Sequence, residues 1–156
     1  MPEIDIKKAY DKLKSKYSLP DFDVIDNYFE ISCIEHEAFL LREIRRKISD
    51  KLEFCTNMLE ALLQPDTGSI SNMHEYRAFD DNKKKSIFNL YKELMSLHRF
   101  SLILECKLEG KSDAEFISDI FSKWSNIQKE MKKLFEDMKN SWTDETDVTE
   151  ELGYFG

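Results

Sequence analysis

The sequence predicts an all-α fold, an antiparallel bundle of three long helices preceded by one or two shorter ones. Two observations carry this prediction. Apolar residues recur three and four positions apart along most of the chain, the spacing of one helix face. Only 4 glycines and 3 prolines occur in 156 residues, which leaves little material for the turns of an all-β protein.

Composition predicts one helical domain over residues 1–142 and an acidic tail with aromatic residues over residues 143–156. Charged residues make up 35% of the chain, as is typical of long solvated helices. The net charge of −8 disfavours proteins that coat nucleic acid or bind anionic membranes, because both need positive charge.

Two short helices are predicted first. Ile6, Tyr10, Leu13 and Tyr17 form one stripe over residues 3–17. Pro20 interrupts that stripe, because proline disfavours the helical conformation in the residue before it. A second stripe covers residues 22–29, and the polar and β-branched stretch 31–34 is the expected break.

The first long helix is predicted over residues 34–63, with a leucine and isoleucine stripe that starts at Leu41. Pro65 ends it, since proline clashes with the preceding helical turn. Residues 64–81 are irregular, and a short helical turn is expected near Ser71. A connection this long is usually functional or loosely ordered.

The second long helix is predicted over residues 82–109, with Asp80 or Asp81 as its N-cap. Two apolar seams run along it, and their combined width predicts packing against two partners. The first seam contains Phe88, Tyr91, Met95, His98 and Leu102, and the second contains Ile87, Leu90, Leu94, Leu97, Leu104 and Leu108.

Gly110 is predicted to end that helix, and Ser112-x-x-Glu115 to open the third long helix as a capping box. So short a connection requires the two helices to be antiparallel neighbours. Apolar residues from Ile117 to Trp142 follow a period close to 3.5, which predicts coiled-coil-like packing.

Protein binding is the function that these patterns favour. In the tail, acidic residues precede Leu152, Tyr154 and Phe155, so charge could steer a partner and the apolar side chains could anchor it. The tail loosely resembles the peptides that dock on sliding clamps, although it lacks their glutamine and its apolar spacing is one residue short. The irregular segment adds an interface-like set of residues, Met73, Tyr76, Arg77 and Phe79.

Nucleic-acid binding is the first alternative. Basic side chains cluster at Arg42, Arg45, Arg46 and Lys47, and again at Lys83, Lys84 and Lys85. Together these groups could hold phosphates. Pairs such as Glu43 with Lys47 on a solvated helix face explain the first cluster equally well.

A metal- or carboxylate-dependent enzyme is the second alternative. None of the histidines has a glutamate three residues before it, as a di-iron bundle requires, so His36, His74 and Glu75 are only candidate ligands. His98 lies on an apolar seam, where a histidine bonded to a neighbour is the usual occupant. Phosphate-binding loops and nucleophile motifs are missing from the sequence.

We therefore expect a non-enzymatic interaction module or subunit with a protein partner or a second copy, and without a cofactor or metal. The three cysteines are odd in number and widely spaced, which predicts free thiols. No signal peptide and no apolar run long enough for a bilayer is visible, so a cytoplasmic protein is expected.

Overall fold

The computed structural model describes residues 4–143, and within this range every regular element is helical. The predicted all-α class is therefore confirmed. The helices are α1 (Ile6–Tyr17), α2 (Phe22–Phe29), α3 (Leu40–Leu63), α4 (Ile70–Ala78), α5 (Asp81–Lys107) and α6 (Gly110–Ser141), with a 3-10 turn at Ile31–Cys33. None of these helices combines the length and the apolar character that crossing a bilayer requires.

The chain divides into two compact units. Unit 1 contains residues 1–53 and 96–125, and unit 2 contains residues 54–95 and 126–156. The three long helices α3, α5 and α6 each contribute a segment to both units. The single domain over residues 1–142 stays a prediction.

In unit 1, caps and aromatic contacts explain the two short helices. The Asp5 side chain caps α1 by accepting a hydrogen bond from the Lys8 amide at 3.0 Å. The Tyr10 hydroxyl donates to the Pro20 carbonyl at 2.6 Å, and the buried Tyr10 ring meets Phe22 edge-on. Phe29 packs against Trp124 of α6, with ring centroids 4.9 Å apart. These contacts fold α1 and α2 into the core of unit 1.

In unit 2, α4 and the start of α5 are capped by side chains as well. The Ser69 hydroxyl accepts from the Asn72 amide, and the Asp80 carboxylate accepts from the Lys83 amide at 2.7 Å. The predicted N-cap at Asp80 is confirmed. The core of this unit is apolar and comes from all four of its helices, with Leu59, Leu62, Met73, Ile87, Leu94, Ile127, Met131 and Leu134 buried.

The predicted start of the first long helix at residue 34 is wrong, because α3 begins at Leu40. Ile34 is buried in an extended conformation, whereas residues 35–39 are all exposed. A helix over residues 35–39 would bury no apolar face, and burial supplies most helix stability in proteins.

The predicted junction between the second and third long helices is also wrong. Leu108, not Gly110, takes the left-handed conformation after α5, with φ 51°, and its amide donates to the Leu104 carbonyl. Gly110 is already the first residue of α6, so Ser112 lies inside the helix rather than at a cap. Its hydroxyl donates to Glu109 at 3.2 Å.

The two apolar seams on α5 are buried to different extents. In the second seam Ile87, Leu90, Leu94, Leu97 and Leu104 are buried and Leu108 is exposed. In the first seam His98 is buried, Tyr91 and Met95 are half-buried, and Phe88 and Leu102 are exposed. The prediction that both seams form one wide packed face is therefore wrong at Phe88, Leu102 and Leu108. These residues leave apolar surface available to solvent.

Candidate functional site

A fully buried arginine occupies the interior of unit 1. Arg45 of α3 is 1% exposed. Its Nε donates to Asp113 Oδ1 at 2.7 Å, and its Nη1 donates to both oxygens of Ser101 at 3.0 Å. Its Nη2 donates to Glu105. All three guanidinium nitrogens therefore have partners, which compensates the cost of burying the charge.

Glu105 links this buried pair to the surface. It also accepts hydrogen bonds from Arg46 Nε and Nη2, while Arg46 Nη1 donates to Glu43 at 2.7 Å. The hydrogen bonds from Arg46 and Arg45 lower the pKa of Glu105 to about 2. The same contact with Glu105 raises the pKa of Arg46. The cluster holds α3 against α5 within unit 1 through ionised groups.

Because of this cluster, the basic residues of α3 do not form the solvated face that the sequence predicts. Arg45 lies in the interior rather than on a solvated face, and Arg46 is exposed but bonded to two carboxylates. Arg42 and Lys47 are half-buried. A phosphate would have to compete with carboxylates for Arg46, so binding of nucleic acid at this face stays a prediction with less support.

The basic residues at the start of α5 have three different surroundings. Lys83 bonds to Asp137 at 2.7 Å, Lys84 lies over the Tyr76 ring, and Lys85 is exposed. The lysine triplet is therefore not one continuous patch of free cations.

An apolar cleft of about 370 Å³ opens on unit 1. Segments that end or begin helices form it: the end of α1, residues 37–39, the start of α3 and the turn between α5 and α6. Its walls include Leu13, Tyr17, Leu40 and Leu41, and its polar groups are Glu37, Arg42 and Asp113. The cleft is within the size range of ligand pockets.

Two residues that line this cleft are exposed and apolar: Phe39 is 70% exposed and Leu108 is 52% exposed. Both have left-handed backbones, with φ of 53° and 51°. That conformation costs a residue with a side chain about 1–2 kcal/mol, which is why glycine usually occupies it. The chain thus holds two large apolar side chains in solvent on a strained backbone.

Arg42 contributes a polar group to the same cleft. Its guanidinium lies 4.6 Å from the centroid of the Phe39 ring, and its Nε is buried without a hydrogen-bond partner. A buried donor without a partner is costly, and such groups are rare in folded proteins. Asp113 also lines the cleft, but Arg45 already engages its carboxylate.

Unit 2 has a separate, partly exposed surface on α5, which we call the α5 strip: Lys84, Phe88, Tyr91, Lys92 and Met95. Phe88 and Lys92 are exposed, whereas the other three residues are half-buried. Phe88 is 48% exposed, and its ring lies 6.4 Å from that of Tyr91 in a stacked arrangement. The ammonium groups of Lys84 and Lys92 lie over the rings of Tyr76 and Phe88, at 3.6 and 5.1 Å from the centroids.

The other predicted site residues fall into three groups. Met73 and Phe79 are buried in unit 2, so they serve its core, whereas Tyr76 and Arg77 are half-buried. His98 is buried and accepts a hydrogen bond from Arg99 at 2.9 Å, as expected for a histidine at the core boundary. Leu152, Tyr154 and Phe155 lie outside the described residues.

The candidate metal ligands do not form a described site. His74 is buried, stacks on Trp142 with ring centroids 4.0 Å apart, and has its Nε2 2.9 Å from the Ser141 carbonyl. His36 is exposed and belongs to unit 1, whereas His74 and Glu75 belong to unit 2. Across residues 4–143, no cluster of three or more potential ligand side chains is found.

The cleft and the partners of Arg45 are not among the features predicted from the sequence. A signal for the second existed, since Ser101 lies four residues after Leu97 and three before Leu104, on a buried apolar face. A polar residue on such a face calls for an internal hydrogen-bond partner. No pattern marks the cleft, because helix ends distant in sequence form it.

Comparison with known proteins adds no relative. The chain matches no protein-family model, no curated protein and no solved structure.

Proposed function

We propose that this protein is a non-enzymatic interaction module, and that unit 1 binds an apolar peptide segment of a protein partner in the cleft between Phe39 and Leu108. One observation carries the proposal: two exposed apolar side chains with left-handed backbones line the same cleft. In the absence of a partner, neither the exposure of these side chains nor the strain of their backbones stabilises the chain. Strained backbone residues cluster at functional sites, and exposed apolar patches mark interaction sites.

The cleft also indicates the chemistry of the segment. Most of its wall is apolar, so a leucine-sized or aromatic side chain would gain most from burial there. The unpartnered Nε of Arg42 needs an acceptor, which a carbonyl or an acidic side chain of the segment would supply. We therefore propose a partner segment with one large apolar residue beside an acidic one.

The predicted bundle of three long helices is part of this proposal. Within unit 1, Phe100 of α5 packs near Phe116 of α6, and within unit 2, Lys83 bonds to Asp137. Both pairs fit an antiparallel course of α5 and α6. We also propose a reducing compartment such as the cytoplasm, which the free thiols Cys33 and Cys106 on the surface support.

A peptide library displayed on phage and selected against the full chain tests the proposed function. We expect enriched peptides to share a large apolar residue beside Asp or Glu. Phe39→Gly and Leu108→Gly should weaken their binding at least about tenfold, as removal of an interface anchor does. Glycine suits the left-handed backbone, so neither change should unfold the chain.

Phe88→Ala in unit 2 is the matched control, since it removes an exposed aromatic side chain far from these cleft residues in sequence. Binding should be unchanged in this variant. Failure to enrich any common peptide, or binding that survives both glycine variants, would refute the cleft as the partner site.

A further inference from the structure

Arg42 differs from the two arginines that follow it on α3. Arg45 and Arg46 both donate hydrogen bonds to carboxylates, and each of them bonds to Glu105. The Nε of Arg42, by contrast, is buried and has no hydrogen-bond partner. Burial of a charged donor costs free energy unless an acceptor compensates it. Arg42 therefore has hydrogen-bonding capacity left for a ligand.

Two carboxylates line the cleft together with Arg42, and neither satisfies its Nε. Asp113 Oδ1 already accepts a hydrogen bond from Arg45 at 2.7 Å. Glu37 is exposed, and its charge is not compensated by a buried partner of this kind. The acceptor that Arg42 lacks would therefore have to come with the ligand.

The Phe39 ring restricts the side chain of Arg42. The Cζ atom of Arg42 lies 4.6 Å from the centroid of this ring, and a guanidinium is attracted to the face of an aromatic ring. The contact holds the guanidinium at the cleft, which both residues line, so less side-chain freedom is lost when a ligand binds. Phe39 thus has a second role besides that of an apolar anchor, because it positions Arg42.

Two helix ends add positive potential to the cleft. Residues 40–42 of α3 and Gly110 of α6 lie in the first turns of these helices, and the N-terminal end of a helix carries a partial positive charge. Glu37 opposes this potential, whereas the charge of Asp113 is compensated by Arg45. The helix ends add attraction for an anion, and Arg42 supplies the specific donors.

A carboxylate fits these donors better than a carbonyl does. The Nε and the adjacent Nη of a guanidinium are parallel donors, and their spacing matches the two oxygens of a carboxylate. A backbone carbonyl or an amide side chain offers one oxygen and no charge. The choice between the two kinds of acceptor therefore depends on Arg42.

We infer that Arg42 makes the cleft specific for an acidic segment. Its Nε and one Nη donate to the two oxygens of an Asp or Glu side chain of the partner, while Phe39 positions the guanidinium. This inference rests on the proposed function and adds which acceptor the cleft selects and which residue selects it. The same segment with Asn or Gln in place of the acidic residue binds mainly through its apolar residue.

Titration of the isotope-labelled full chain with two blocked tripeptides, followed by NMR, tests the inference. The peptides are acetyl-Asp-Phe-Asp-amide and acetyl-Asn-Phe-Asn-amide. We expect both to shift the amide signals of Phe39 and Leu108, and the acidic one to bind about tenfold more tightly, because hydrogen bonds to charged groups are stronger. The Arg42 Nε–H signal should move further with the acidic peptide.

Four variants separate the roles of the cleft residues. Arg42→Gln should reduce the preference for the acidic peptide to about twofold or less, and Arg42→Lys, which keeps the charge without the paired donors, should retain only part of it. Phe39→Leu keeps an apolar anchor but removes the ring, so it should lower the preference while the amide peptide still binds. Glu37→Gln should strengthen binding of the acidic peptide about twofold, because it removes a like charge.

Arg42→Gln should leave the urea midpoint of unfolding unchanged, because the Nε of Arg42 has no partner to lose. Arg99→Gln makes the same charge change at an exposed residue of unit 1 outside the lining of the cleft, and the preference should persist. Equal affinity for the two peptides would overturn the inference while leaving binding in the cleft intact, as would a preference that survives Arg42→Gln or is lost equally in Arg99→Gln. If neither peptide shifts Phe39 and Leu108, the proposed function is refuted, and the inference with it.

Discussion

At the scale of single residues, the main feature of unit 1 is the buried guanidinium of Arg45 and the residues that bind it. Arg45 satisfies the carboxylate of Asp113, which is 3% exposed, together with Ser101 and Glu105. Such a pair adds little net stability over apolar side chains of the same size, but it is costly to break. Its effect is to make the α3, α5 and α6 segments of unit 1 depend on one another.

Removing Arg45 alone should destabilise the chain strongly. Arg45→Met leaves the Asp113 carboxylate buried without its partner, so we expect a loss of about 3–5 kcal/mol in unfolding free energy measured with urea. Arg45→Met/Asp113→Leu removes both charges and should recover most of that loss. Arg46→Met, at the surface, should cost no more than about 1 kcal/mol. A double variant as unstable as the single one would contradict this explanation.

Acid should weaken the contribution of Glu105. Folding lowers the pKa of this carboxyl from 4.5 to about 2, so its stabilising effect is present above pH 4.5 and is lost as the pH falls towards 2. Glu105→Gln should therefore cost stability at pH 6 and progressively less at pH 4 and pH 3. Urea unfolding of both proteins at each pH measures the difference. A difference that is constant with pH would contradict the assigned cause.

At the scale of elements, the helix ends carry the unusual features. A left-handed residue directly follows each of three helices: Ser18 follows α1, Glu30 follows α2 and Leu108 follows α5. Ser18 and Glu30 are polar and exposed, as a helix end in solvent usually is. Leu108 and Phe39 are apolar and line the cleft, which is why the ends of α5 and of the segment before α3 are the candidates for function.

Replacing Leu108 by glycine should stabilise the chain. Relief of the left-handed backbone gains about 1–2 kcal/mol, and the flexibility of glycine offsets about 0.5–1 kcal/mol, so we expect a net gain of up to about 1.5 kcal/mol. Leu102→Gly is the matched control, because it removes a leucine of similar exposure, 45% against 52%, from a helical position of α5. It should destabilise by about 1 kcal/mol. A destabilising Leu108→Gly would mean that the leucine side chain supports the fold.

At the scale of the whole molecule, the three long helices are shared between the two units. Helices α3, α5 and α6 each pass from one unit to the other without a break. Neither unit contains a complete copy of any of these helices. Loss of either unit would therefore leave helix segments without their packing partners, and packing supplies most of their stability.

We therefore expect both units to unfold in one transition. Each unit contains one tryptophan, Trp124 in unit 1 and Trp142 in unit 2. Trp124→Phe and Trp142→Phe leave one fluorescent reporter each. Within each variant, fluorescence and far-ultraviolet circular dichroism should give the same urea midpoint. A reporter that changes at a lower urea concentration than the helical signal would show that its unit unfolds separately.

Much of the fold could be predicted from periodicity. The existence of the long helices, the Asp80 cap and the interruption at Pro65 all follow from local chemistry, because spacing, capping and proline geometry act within a few residues. Helix boundaries followed less well. Burial decided the start of α3, because residues 35–39 have no apolar face to bury, and no local signal in the sequence marks Leu108, rather than Gly110, as the left-handed residue after α5.

The sequence by itself determined that this protein is helical and approximately which parts of the chain form its long helices. Only the tertiary structure decided that Arg45 is buried, that Phe88 and Leu102 of α5 are exposed and that Phe39 and Leu108 line one cleft. The physical reason is the range of the interactions. Helix formation depends on neighbours three and four residues away, whereas Arg45 meets partners 56 to 68 residues away, which no local pattern specifies.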